Sequence, residues 1–260
     1  MPELPEVHGY QQYVNSTILH KEILEMECRD ERLLKRPIKA FKELLIGNQF
    51  TGTQRIGKYL FLETSNQTSL VMHFGMTGRP SYYKDAAQRP KFGHIVLSLV
   101  NDFQFAFENK RKFGWWDIAE NIEEYRKEHG LSKDARSLSL EEFRENLSNR
   151  KTDIKKVIMD QSVCAGVGNW MADEILFQAQ VHPEKKLADM DDQQVSNVYK
   201  ALQDVIETAI DNDAHYDDFP KNYLIHHRKE GGSCPQTGAS IQKIKVGGRS
   251  TYFSPEWQKK

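Results

Sequence analysis

Near residue 120 the hydrophobic pattern of this chain changes period, and that change limits the possible folds more than any other feature. Before it, apolar residues fall in strand-length runs at 23–28, 59–63, 70–74, 95–100, 103–107 and 115–119. Turn formers separate them, among them Gly75, Met76, Thr77 and Gly78, and the Val100, Asn101, Asp102 stretch. One helical pattern precedes the series and another interrupts it. Val7, Tyr10, Val14 and Ile18 recur at three- and four-residue spacing over 3–18, and a second pattern covers 37–46. After residue 136 the helical period takes over. Ser139 and Glu142 make a capping-box pattern for a helix to about 147, followed by helices over 153–161, 169–179 and 192–210. Two short strands, 240–246 and 249–253, are joined by Gly247 and Gly248, a two-residue hairpin signal. The pattern predicts an α+β chain. An N-terminal helix and a two-layer antiparallel β-sandwich occupy 1–119, and a polar linker runs over 120–136. A helical domain follows over 137–220, and a hairpin module closes the chain at 221–260.

The 260 residues are 38% apolar and 28% charged, a balance that suits one large or two smaller globular domains. No apolar run is long enough for a bilayer, and the acidic start lacks a signal-peptide pattern, so no export is expected. Three scattered cysteines (Cys28, Cys164, Cys234) fit a reducing compartment without disulfides. A net charge of −1 argues mildly against nucleic acid as partner, but the charge is uneven. Residues 221–260 hold eight Lys and Arg against two acids, and 184–218 hold ten acids against three lysines. A basic face of this kind can hold phosphate whatever the total, although a solvated surface gives the same pattern.

The chain opens Met1, Pro2, Glu3, Leu4, Pro5, Glu6, Val7. Loss of Met1 exposes the secondary amine of Pro2. An α-amine has a pKa of about 8, so it is partly neutral and nucleophilic near pH 7. Attack on an aldehydic carbon gives an iminium, with Glu3 and Glu6 within a turn to move protons. The same residues also suit a first helical turn, the plainer reading of this stretch alone. Gly166, Val167, Gly168 and Asn169 open a helix and make either a phosphate seat or a plain helix–turn–helix corner. Residues 107–116 mix three cations with four aromatics, a composition that holds phosphate backbones and stacks on bases. Arg249 sits at the hairpin tip beside Lys243 and Lys245. A four-cysteine zinc hairpin counted from Cys234 places Thr237, Ser254 and Trp257 in the remaining slots. One thiolate cannot hold structural zinc, so no metal is expected.

Together these segments resemble the formamidopyrimidine-DNA glycosylase/endonuclease VIII (Fpg/Nei) family over nearly the whole chain. The matching motifs are the opening heptapeptide, RIGKYL (55–60), HFGMTGR (73–79), KRKFG (110–114), DQSVCAGVGNWMADE (160–174) and IQKIKVGGRSTYF (241–253). The resemblance implies a helix–two-turn–helix in the helical domain and, with the zinc cysteines largely gone, a zinc-less finger at the hairpin. It also implies a bifunctional glycosylase/AP lyase that removes oxidised bases such as 8-oxoguanine and formamidopyrimidines from damaged double-stranded DNA. Such an enzyme acts as a cytoplasmic, nucleoid-associated monomer without cofactor or membrane contact. Pro2 would be the Schiff-base nucleophile and Glu3 the proton relay. Lys58 would assist β-elimination, and Arg249 would clamp phosphates and assist δ-elimination. Met76, Arg111 and Phe113 would fill the gap left by the everted base, with Arg111 facing the orphaned partner. His73, His94, Arg150 and Asn169 would contact DNA, with Glu6 and Glu174 in support.

Three departures stand out. Phe92 replaces a histidine often found in the family, Lys112 replaces an arginine, and 211–232 is short for the segment that often caps 8-oxoguanine. The alternatives are an endonuclease VIII-like enzyme for oxidised pyrimidines, a non-catalytic lesion binder of the same fold, and a general nucleic-acid clamp.

Overall fold

The computed structural model describes residues 1–100 and 102–260, so Asn101, the centre of one expected turn, lies outside the described residues. Contacts divide the chain into two units, Met1–Pro2 with Glu6–His129, and Glu3–Pro5 with Gly130–Lys260.

In chain order the first unit carries α1 (Leu4–Thr17, whose first two residues count with the second unit), β1 (Ile23–Cys28), α2 (Ile38–Leu45), β2 (Phe50–Ile56), β3 (Tyr59–Thr64), β4 (Ser69–His73), β5 (Gly78–Tyr83), β6 (Gly93–Leu99), β7 (Gln104–Asn109), β8 (Trp115–Ala119) and α3 (Ile122–Glu128). Among the described residues these strands form two antiparallel four-stranded sheets, ordered β1-β6-β7-β5 and β2-β3-β4-β8. Their facing sides interdigitate as the strand period requires. Met26, Ile95, Leu97, Phe105 and Phe107 from one sheet share a core with Leu60, Leu62, Leu70, Met72, Trp116 and Ile118 from the other. Val7 and Val14 of α1 and Phe41, Leu44 and Leu45 of α2 close it. Each such side chain, fully buried, contributes about 1.5–3 kcal/mol.

Two strands, β2 and β5, are absent from the sequence expectation, and both lie at sheet edges. β5 contains Pro80, which has no N–H for a ladder and is tolerated at an edge. β2 is polar through its middle, so it shows no apolar alternation. The stretch expected as a linker holds α3, whose Tyr125 ring meets Phe61 edge-on at 5.7 Å and covers the outer face of the second sheet.

The second unit holds α4 (Leu140–Leu147), α5 (Ile154–Ile158), α6 (Asn169–Gln178), α7 (Asp192–Asp211), β9 (Gln242–Val246) and β10 (Arg249–Phe253). The capping box at Ser139 and Glu142 is formed, and Asp191 and Gln194 make another ahead of α7. α5 stops short of its expected end because Asp160 turns the chain. Its carboxylate accepts Ser162 N–H at 2.9 Å, and its carbonyl accepts from Val163 and Cys164. α6 is buried on every side from Trp170 to Phe177, including two acids, Asp173 and Glu174. Among the described residues, no helix is long and apolar enough to cross a membrane.

Candidate nucleic-acid interface

In the second unit, the start of α6 is built around Glu3. The Glu3 carboxylate, 2% exposed, accepts backbone N–H groups from Gly168 (2.8 Å), Trp170 (3.1 Å) and Met171 (3.2 Å). The orphan donors of a helix N-terminus and its positive dipole end are thereby met by a side chain. Leu4 N–H adds a bond to Gly166 O at 3.1 Å. Gly168 is required here for clearance. Its backbone is extended (φ −126°), but a Cβ would lie 2.3 Å from Glu3 Cδ. The glycine turn, which the sequence leaves as either a phosphate seat or a plain corner, thus holds the carboxylate that follows Pro2 in the chain. Pro2 itself is half-buried.

Asn169 is bonded at both ends of its amide. Oδ1 accepts from Lys155 Nζ at 2.8 Å, and Nδ2 donates to Ser250 O at 3.0 Å. Lys155, fully buried, also donates to Asp173 (2.6 Å) and Thr251 Oγ1 (2.7 Å). Arg228 closes the group on the other oxygen of Asp173 at 2.7 Å. Burial pushes the Lys155 ammonium below its ordinary value, and Asp173 opposes that. One buried cation therefore joins α5, the start of α6 and β10. Sequence reasoning missed it, because a lysine in a mixed helix reads as solvated. The available signal was the acid pair 173–174 inside an otherwise apolar run.

The hairpin turn has Gly247 at φ +57° and Gly248 at +76°, the left-handed pair a two-residue turn requires. Arg249 is exposed at its tip and, with Lys156, Met159, Asp160, Val246 and Gly247, lines a shallow cleft of about 190 Å³. Arg150 pairs with Asp160 and donates to Ser162 Oγ at 2.7 Å. Glu174, 1% exposed, accepts N–H groups from Leu224 (3.0 Å) and Ile225 (2.9 Å) and the Gln178 amide (2.8 Å). Burial pushes its pKa up to about 7 against those hydrogen bonds. Glu174 thus pins the 224–227 turn.

The slots of a zinc hairpin do not fit a metal. Cys234 is buried with Phe177, Leu224 and Ile241, packed by Tyr252 and Trp257, and Trp257 Nε1 donates to Phe177 O at 2.9 Å. Ser254 N–H is taken by Gln258 Oε1 at 2.9 Å. Among the described residues, no group of three or more His, Cys, Asp or Glu could hold a metal ion.

In the first unit, Lys58 occupies the tight β2–β3 turn beside Gly57 (φ +58°) and is 9% exposed. Tyr59, His73 and Trp115 stand opposite one another on β3, β4 and β8. The His73 ring stacks on Trp115 at 5.1 Å, with Lys35 over the indole at 5.1 Å. Burial, then Lys58 and Lys35, lowers the His73 pKa to about 4, so the ring is neutral at pH 7. Its Nδ1 accepts Gly75 N–H at 3.3 Å. His94 is also lowered, by burial and then Lys112, and its Nε2 is buried without a protein partner among the described residues. Phe92 lies under Lys91 and Lys110, at 5.7 and 5.9 Å. Glu6 lies in the first turn of α1.

Met76, Arg111 and Phe113 project from two abutting turns. Met76 is 39% and Phe113 55% exposed, and the Arg111 guanidinium lies 5.0 Å from the Phe113 ring centre. Gly75, at φ +58°, makes the approach possible, since a Cβ there would meet the Phe113 carbonyl carbon at 2.3 Å. Exposed apolar and planar cationic groups on a rigid base can replace the contacts of a displaced base.

This combination of a β-sandwich unit and a helical unit ending in a basic hairpin is a nucleic-acid-handling architecture. Residues 1–116 match the formamidopyrimidine-DNA glycosylase N-terminal domain, and 130–219 match the formamidopyrimidine-DNA glycosylase H2TH domain. A formamidopyrimidine-DNA glycosylase of Desulforamulus reducens is 32% identical over all of this chain and 99% of its own length. That of Arabidopsis thaliana is 30% identical over all of this chain and 71% of its own. The solved structure of MutM in complex with carbocyclic 8-oxo-G containing DNA superimposes with a TM-score of 0.91 at 28% identity, each chain fully covered. The chain belongs to the Fpg/Nei family and is a DNA-repair glycosylase.

Proposed function

We propose that the protein is a bifunctional DNA glycosylase/AP lyase that acts on oxidised purines, including formamidopyrimidines and 8-oxoguanine, in duplex DNA. With Met1 removed, the Pro2 nitrogen attacks C1′ of the everted nucleotide, the N-glycosidic bond breaks, and the base leaves with a proton. Ring opening gives an iminium between Pro2 and the deoxyribose, with Glu3 moving the proton. Loss of a 2′ proton expels the 3′ phosphate, and a second elimination expels the 5′ phosphate. Lys58 assists the first elimination and Arg249 the second. His73, His94 and Asn169 contact the backbone, and Met76, Arg111 and Phe113 fill the vacated stack. Arg150 reaches the backbone from its pairing with Asp160. The protein works as a monomer in the compartment that holds DNA, with 1–119, 137–220 and 221–260 as its working parts.

The observation that carries the reading is the Glu3 carboxylate, fixed by three backbone N–H groups one residue from the nucleophile. Preorganisation of this kind places a proton-transfer group before substrate arrives. The bound DNA named for the MutM structure supports the substrate class. Duplexes with single defined lesions test it, with borohydride added to trap the iminium. Excision of 8-oxoguanine or formamidopyrimidine with a trapped adduct is expected. A preference for thymine glycol opposite adenine would overturn the purine assignment. Binding of abasic DNA with neither trapping nor cleavage would overturn the enzyme reading.

A further inference from the structure

The turns that present Met76, Arg111 and Phe113 are fastened to each other by a side chain with no part in the chemistry. Thr77 Oγ1 accepts the Arg111 backbone N–H at 2.9 Å and donates to Asn109 Oδ1 at 3.3 Å. Asn109 is fully buried. Its N–H bonds Phe92 O at 3.0 Å, and its carbonyl accepts Lys112 N–H at 3.2 Å. Lys112, held at φ +56°, ties the far side of the turn to Asp30 at 2.7 Å. Thr77 therefore hangs the Arg111 peptide from the β-sandwich, while the guanidinium rests near the Phe113 ring at the outer end.

We infer that Thr77 is a positioning residue for discrimination of the base opposite the lesion. The inference rests on the reading that Arg111 faces that base. A guanidinium distinguishes bases by the direction of its donor fork, which must be held within about 0.5 Å to be selective. The exposed Arg111 side chain cannot hold that direction unless its peptide is fixed. Thr77 supplies the fixing bond, so its hydroxyl governs selectivity among partner bases more than overall grip.

The test uses the full chain with Met1 removed and duplexes carrying a tetrahydrofuran abasic analogue opposite C, A, G or T. Affinities are read by fluorescence anisotropy, with thermal melting to verify folding. Thr77→Val keeps the shape and removes the hydroxyl, and Thr77→Ser keeps the hydroxyl. The spread of the four affinities is expected to shrink roughly fivefold in Thr77→Val, the worth of one hydrogen bond of about 1 kcal/mol, and to be retained in Thr77→Ser. A uniform loss across all four duplexes would overturn the inference, because the hydroxyl would then only support the fold. An unchanged spread in Thr77→Val while Arg111→Ala abolishes it would remove the latch alone. An unchanged spread in Arg111→Ala would remove the Arg111 reading and the latch with it.

Discussion

Gly168→Ala isolates the contact on which the chain's reactive end depends. The backbone there is extended, so alanine is conformationally acceptable and the whole effect comes from one collision. The added Cβ would sit 2.3 Å from Glu3 Cδ and 2.4 and 2.7 Å from its oxygens, against an ordinary contact of about 3.4 Å. The carboxylate must retreat by roughly 1 Å, which breaks most of its bonds of 2.8, 3.1 and 3.2 Å. Hydrogen bonds to a charged group contribute about 1.5–3 kcal/mol each, and a buried anion stripped of partners is destabilising by about 3–5 kcal/mol. A loss of about 4 kcal/mol lowers the melting temperature by on the order of 10 °C. The assay is thermal unfolding of wild type, Gly168→Ala, Glu3→Ala and the double variant. Gly168→Ala is expected to cost little once Glu3 is alanine, giving a coupling of several kcal/mol between neighbours in contact. Additive effects, or a melting temperature within about 2 °C of wild type, would refute the reasoning.

Other outcomes follow from the same geometry. Glu174 has its folded pKa raised to about 7 by burial, so its contribution to stability is full below the unfolded carboxylate value and lost as pH rises through 7. Glu174→Gln should therefore gain about 3 kcal/mol relative to wild type between pH 4.5 and 8 in urea unfolding, and a pH-independent difference would contradict it. His73 is depressed to about 4, so its stabilising share is present above the unfolded value and lost as pH falls towards 4. Imidazole NMR shifts of His73 should stay in the neutral form down to about pH 5. Arg249→Ala should weaken DNA binding and the second elimination more than base release, and loss of base release alone would sink the role assigned to it.

The sandwich and the helical half were readable because their buried faces follow the strand and helix periods over many residues, as Leu60, Leu62, Leu70 and Met72 do in β3 and β4. The edge strands were not readable, since an edge tolerates Pro80 and a polar β2 without loss of pairing. Motifs located the chemistry-bearing residues but not their partners. Nothing local in the sequence says that Asn169 meets Lys155, or that Glu174 reaches Leu224 across fifty positions. Those contacts depend on tertiary packing around α6, where a buried charge is tolerated because its partners arrive from distant segments. The Gly166 to Gly168 turn shows the same limit. It reads as a phosphate seat or a plain helix corner, and its Gly168 N–H is taken by a carboxylate of the chain's own head while its Gly166 N–H is taken by Gln161.

The account rests on an unblocked Pro2 nitrogen forming a covalent bond to deoxyribose. Peptide mapping by mass spectrometry of the borohydride-reduced complex with lesion duplex tests that directly. The expected result is a peptide that begins at Pro2 and carries the sugar remnant on its amine. An adduct on another residue, or active protein that still carries Met1, would contradict the mechanism.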